Sequence, residues 1–133
     1  AGLGVMPTDY SCLAWEPQRS QILCGTKTGD LRIFDLRQQR VIQKFDAHGG
    51  VAVQHCFLLP CMGRLLTLSA AAELKIWSLT NFECLETIPK LHHAPRSLGS
   101  IMTAGQTIAC ASLASEHHLI TGGLDGSVIL TRV

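Results

Sequence analysis

The stretch ILCGTKTGDLRIFDL, Ile22 to Leu36, returns as LLTLSAAAELKIWSL, Leu65 to Leu79, and again as LITGGLDGSVILTRV, Leu119 to Val133. Superposed without gaps, the copies put Gly29, Ala72 and Gly126 in one column. Leu31, Leu74 and Val128 share the next apolar column, and Ile33, Ile76 and Leu130 the one after. Phe34 and Trp77 occupy a large aromatic slot that holds Thr131 in the third copy. The copies begin 43 and then 54 residues apart. Periods of about 40 to 45 residues, with a small-residue turn between two short apolar runs, are the pattern of propeller blades.

Each copy sits inside a four-strand unit. In the first, Tyr10 to Trp15 reads as a strand with Leu13 and Trp15 on one face, ended at Pro17, which suits a turn or a sheet edge. Gln21 to Thr26 is the second strand, and Lys27 to Asp30 is a turn in which Gly29 supplies a permissive backbone. Leu31 to Leu36 alternates apolar and polar residues as a half-buried strand does, and Val41 to Phe45 follows as the fourth. Val51 to Leu58, Arg64 to Ser69, Glu73 to Leu79 and Cys84 to Ile88 repeat the plan, with Ala70 to Ala72 as a degraded turn. A longer insertion, Pro89 to Ser100, precedes Ile108 to Leu113, His118 to Gly122 and Ser127 to Val133, after which no fourth strand follows. No segment has a helical period.

The predicted fold is therefore all-β: a partial β-propeller with blades at 9–48 and 49–88, and an insertion plus a three-stranded blade at 89–133. Propellers close with about four to eight blades, and closure is what removes exposed edges. The chain is thus expected to form part of a larger ring, completed by the same polypeptide or by a partner. The final strand is expected to pair with a strand from outside the chain, or from Gly2 to Met6 in an unusual arrangement.

Composition points the same way. Charged residues make up 16% of the chain and hydrophobic ones 47%, a dry surface unless much of it is covered. The net charge of +1, with cations and anions interleaved, argues against a nucleic-acid groove. The six cysteines, Cys12, Cys24, Cys56, Cys61, Cys84 and Cys110, lack C-x-x-C spacing and read as free thiols of a cytosolic protein. Ala1 to Thr8 has neither the basic region nor the apolar run of a secretory signal. Ser97 to Ser115 is uncharged over 19 residues, but its polar residues and glycines make it a poor membrane span. No direct membrane insertion is expected.

The blade pattern resembles WD repeats. In that family a His, a Ser or Thr on the second strand, an Asp in the turn and a Trp on the third strand form a buried hydrogen-bonded tetrad. The resemblance maps these roles onto His48, Thr67 and Trp77 in the second unit, with Ala71 in the place of the Asp. In the third unit it maps them onto His93, Thr121 and Asp125, with Thr131 for the Trp. The first unit has Cys24, Thr28 and Phe34 at those columns, so no tetrad is expected to be complete.

A narrower likeness rests on IFDLRQQRVIQKFDAH (Ile33 to His48), LKIWSL (Leu74 to Leu79), HAPRS (His93 to Ser97) and GGLDGSVILTRV (Gly122 to Val133). These are similar to the C-terminal blades of the Dmx-like, or rabconnectin, proteins. That resemblance implies a non-catalytic scaffold of the machinery that assembles or regulates the vacuolar proton-pumping ATPase. It also implies a cytoplasmic location, peripheral to endosomal, lysosomal or vesicle membranes. Its partners would be other blades and subunits of the vacuolar ATPase. The alternative on the same fold is a scaffold of an unrelated large assembly, such as a trafficking complex.

Chemistry has little to stand on in the residues themselves. His92-His93 and His117-His118 lack zinc-ligand spacing, and adjacent side chains on an extended segment point to opposite faces. There is no G-x-S-x-G nucleophile turn. Gly122 to Gly126 lacks the lysine and helix of a phosphate loop. No cofactor or metal is expected. A propeller hydrolase would have to draw on Thr28, Asp30, Glu73 and Asp125, without a matching base. Arg32, Arg37, Arg40 and Lys44 surround one hairpin and read as a solvated face or a partner contact.

Overall fold

The computed structural model describes residues 9–91, 108–124 and 126–133. Three antiparallel sheets follow one another along the chain. The first has β1 (Tyr10–Glu16), β2 (Gln21–Thr26), β3 (Asp30–Asp35) and β4 (Arg40–Asp46) in sequence order. The second has β5 (Val53–Leu59), β6 (Arg64–Ser69), β7 (Leu74–Ser78) and β8 (Cys84–Ile88), with a short 3-10 turn at Pro60–Met62. The third has β9 (Ile108–Ser115), β10 (His118–Gly123) and β11 (Val128–Arg132), with β10 in the middle. Gly2 to Met6 and nearly all of the insertion lie outside the described residues.

Both faces of each sheet carry apolar rows, and stacking covers those that lie between neighbouring sheets. Leu23, Leu31 and Ile33 of the first sheet meet Val53, Cys56, Leu65, Trp77 and Leu79 of the second. The opposite face of the second sheet, with Leu66, Leu68, Leu74 and Ile76, meets Leu119, Ala111, Leu113 and Val133 of the third. Polar bonds tie the first two sheets as well: Ser11 Oγ donates to the Val53 carbonyl, and Arg19 Nη1 donates to that of Leu79.

The turn column is the device that repeats most closely. Gly29, Ala72 and Gly126 all have left-handed backbone, at φ +90°, +66° and +84°. In each, the amide returns to the carbonyl three residues earlier: Thr26 at 3.3 Å, Ser69 at 3.1 Å and Gly123 at 3.2 Å. Thr26 Oγ1 and Ser69 Oγ accept the amides of Asp30 and Glu73, each at 3.1 Å, which braces the first two turns.

Gly29 has a second duty. Its carbonyl accepts the amides of Ala47 and His48 at 2.9 and 3.1 Å, so the connection into the second sheet rests on this turn. A Cβ there would lie 2.8 Å from the Val51 carbonyl oxygen and 2.9 Å from the Gly50 nitrogen. At Gly126 nothing lies within 4 Å of the same position. Gly126→Ala should therefore cost only the left-handed penalty, about 1–2 kcal/mol. Gly29→Ala should cost clearly more, because backbone atoms must move. Denaturant unfolding of the blades within their complete ring measures the difference.

Candidate functional site

The polar centre of the molecule spans the junction of the first two sheets. Trp77 Nε1 donates to Thr67 Oγ1 at 2.8 Å. His48 Nε2 lies 2.8 Å from the same oxygen, and His48 Nδ1 lies 2.8 Å from Glu73 Oε1. Register explains the meeting. On β6 and β7, Thr67 pairs with Lys75 and Leu65 with Trp77, so the threonine and the indole share a face. His48 arrives from the connection held on Gly29. Phe45 of β4 packs on Trp77 with ring centroids 5.0 Å apart, so the indole is gripped from the neighbouring sheet as well.

Glu73 corrects the expectation that no network would be complete. Strict column alignment puts Ala71 at the acid position. The carboxylate instead comes from two residues further on, where one more methylene lets it reach the imidazole. The visible signal was a lone Glu beside the turn, immediately before the strand that carries Trp77.

One proton arrangement satisfies the whole chain. The indole N–H donates to Thr67 Oγ1, the threonine O–H donates to Nε2, and a neutral imidazole donates Nδ1–H to Glu73. Burial pushes the His48 pKa down, and the Glu73 hydrogen bond opposes this without overcoming it. A protonated ring would force its Nε2–H on Thr67, leaving the threonine proton without its acceptor.

The remaining sequence-derived residues are distributed differently. Thr121 is fully buried on β10, in register with Ala111 and Ile129. His93, its expected partner, lies outside the described residues, as do His92 and Asp125. In the first sheet, Thr28 Oγ1 lies 3.1 Å from Thr26 Oγ1, and Asp30 receives Lys44 Nζ at 3.7 Å. Thr28 and Asp30 are thus engaged in a turn and a strand pair, and Glu73 is bonded to His48. His118 Nδ1 sits 2.9 Å from Ser115 Oγ on the surface. Among the described residues no cluster of three or more His, Cys, Asp or Glu could hold a metal. The cysteines are free thiols, with Cys24 pushed up to about 11 by burial.

Two open faces flank this centre. In β10 and β11, Ile120, Val128 and Leu130 are 38%, 76% and 61% exposed. Their column mates Leu23, Leu31 and Ile33, and Leu66, Leu74 and Ile76, are at most 1% exposed. At the other end, Leu13 and Trp15 of β1 are 65% and 50% exposed. An apolar groove of about 250 Å³ also runs between the loop ends of the second and third sheets, lined by Leu58, Met62 and Leu113 with Glu116 at hand. No helix among the described residues is long and apolar enough to cross a membrane.

No family model matches the chain. The WD40 repeats of RRP9 superpose on 98% of it with a TM-score of 0.75, at 16% identity, using 37% of that chain. The fold is therefore an all-β, partial WD-type β-propeller, and the three sheets are its blades. Mouse DmX-like protein 1 is 30% identical over 116 residues, covering 87% of this chain. The ribosome biogenesis protein ENP2 of Chaetomium thermophilum is 31% identical over 114 residues, covering 80%. These are WD-repeat blades of the Dmx-like kind, and the chain spans 4% and 17% of the length of those two relatives.

Two expectations follow from the network. Trp77→Ala should destabilise the ring by about 3–5 kcal/mol, the usual cost of truncating a buried aromatic, whereas Trp77→Phe keeps the ring packing and should cost about 1–3 kcal/mol through the lost hydrogen bond. Calorimetric unfolding of the two variants checks the order. For His48, the folded pKa lies below the unfolded value, so the unfolded state binds the proton more readily. Stability is thus fully present above the unfolded pKa of about 6.5 and falls as the pH drops below it. His55, also lowered by burial, adds to the same loss. His48→Gln, which keeps a donor and an acceptor without titrating, should shrink the acid loss in a denaturant series between about pH 7.5 and 5.

Proposed function

We propose that these blades are part of a non-catalytic protein–protein interaction scaffold, one that acts as a ring only when further blades cover its ends. The observation that carries this is the exposure of Ile120, Val128 and Leu130 in columns that the other two blades bury completely. Contiguous apolar faces of this kind mark surfaces meant for contact. A fourth strand from outside the described residues pairs along β11, since β10 occupies only one of its edges.

The finer reading draws on the likeness to Dmx-like proteins. On it, the complete protein assembles or regulates the vacuolar proton-pumping ATPase from the cytoplasmic side of endosomal, lysosomal or vesicle membranes, with subunits of the pump as partners. A second reading has an observation of its own: the chain is also 31% identical to ENP2 over 80% of its length, which fits a scaffold of an unrelated large assembly. Affinity recovery of the tagged full-length protein separates them, because pump subunits among the recovered proteins support the first and their absence beside another complex supports the second.

The ring itself is tested by oxidative footprinting of the full-length protein. Val128 and Leu130 should be labelled as slowly as Leu31 and Ile33. Labelling at the rate of free surface leucine would show that no blade covers them.

A further inference from the structure

Arg32 occupies a place in the first blade that its surroundings leave incomplete. Cross-strand pairing sets it in the row Leu13, Cys24, Arg32, Lys44. The corresponding row of the second blade is Cys56, Thr67, Lys75, Thr87, and this is the row that receives His48 from the blade before it. Repetition of the blade therefore sends the connecting loop of a preceding blade onto the row that holds Arg32, next to the exposed Leu13 and Trp15.

The receiving chemistry differs between the two rows. In the second blade the incoming imidazole finds the Thr67 hydroxyl and the Glu73 carboxylate, while Lys75 lies 3.9 Å from that carboxylate. In the first blade Cys24 replaces the threonine and Phe34 the tryptophan, so neither hydroxyl nor indole awaits an imidazole. Arg32 and Lys44 stand directly opposite each other on β3 and β4, and like charges so placed repel. Among the described residues, the carboxylate paired with these cations is Asp30, and it is held by Lys44 at 3.7 Å. The Arg32 Nε is buried and has no hydrogen-bond partner among the described residues.

We infer that the first blade docks against a further propeller blade whose connecting loop presents a carboxylate to Arg32, where the second blade receives an imidazole. A carboxylate offers the guanidinium charge-assisted, two-pronged hydrogen bonds and offsets its repulsion from Lys44. A neutral imidazole has a single acceptor nitrogen and no charge to offset the repulsion, and its N–H would add a donor to a site already rich in donors. The inference rests on the reading of the chain as part of a ring, and it goes further by fixing the charge of the neighbour at that position.

The test uses the full-length protein carrying Arg32→Lys, which reproduces the residue type of Lys75, with a zero-length carbodiimide to join the new amine to any carboxylate it touches. Oxidative footprinting of Trp15 is read in the unmodified protein alongside. The expected result is protection of Trp15 together with an amide from position 32 to an Asp or Glu of another blade, located by peptide mass mapping. Protection of Trp15 with no such amide, or with coupling only to Asp30 in the same blade, overturns the carboxylate while leaving the ring standing. Trp15 labelled as freely as an exposed tryptophan overturns both.

Discussion

A four-stranded sheet with apolar rows on both faces cannot bury either of them alone. Everything in this chain follows from that constraint. Side chains on a strand alternate between faces, so Leu65 and Thr67 look toward the first blade, while Leu66 and Leu68 look toward the third. The second blade, with a neighbour on each side, buries both sets. The outer blades have one neighbour each, and their far faces stay exposed at Leu13 and Trp15 and at Val128 and Leu130. Hydrophobic burial is thus shared between blades and does not belong to any one of them.

Non-directional burial does not by itself fix how one sheet sits on the next, and the polar network supplies that register. The Gly29 carbonyl holds the amides of Ala47 and His48, His48 reaches Thr67, and Thr67 receives Trp77. Each link joins the first blade to the second or braces a residue that does. Blade 2 repeats the first link with different residues, since the Leu91 amide donates to the Ala72 carbonyl at 2.9 Å. Ala72 keeps the left-handed turn at a steric cost that glycine would avoid, and its buried methyl packs with Leu66, Leu68 and Leu74. The turn geometry has therefore persisted where the residue best suited to it has not.

Much of the architecture was legible because burial columns and turn columns are both spaced by backbone geometry. The strands at Gln21–Thr26, Arg64–Ser69 and Cys84–Ile88 fall where periodicity placed them. Shifts of one or two residues, as at β5, occur beside register irregularities such as that between Val53 and His55, which alternation alone does not reveal. Glu73 escaped because column alignment assumes side chains of equal reach, whereas a glutamate two positions along brings its carboxylate to the same point in space. Leu13 and Trp15 were legible as one face of a strand, but not as an exposed one, because exposure depends on the neighbouring blade rather than on the strand.

The three blades also differ in what their polar rows can exchange. Thr67 and Trp77 form a chain of donors and acceptors that ends on a carboxylate with a neutral imidazole between them. Cys24 and Phe34 form no such chain, and they are nonetheless 3% and 2% exposed. A buried thiol and a phenyl ring leave almost no hydrogen-bonding capacity unsatisfied, so their burial carries little polar cost. Loss of the threonine or the tryptophan alone would have stranded the other's polar group. Replacement of both by apolar equivalents removes the demand together with the supply, which is how a blade can shed its network while keeping its place in the stack.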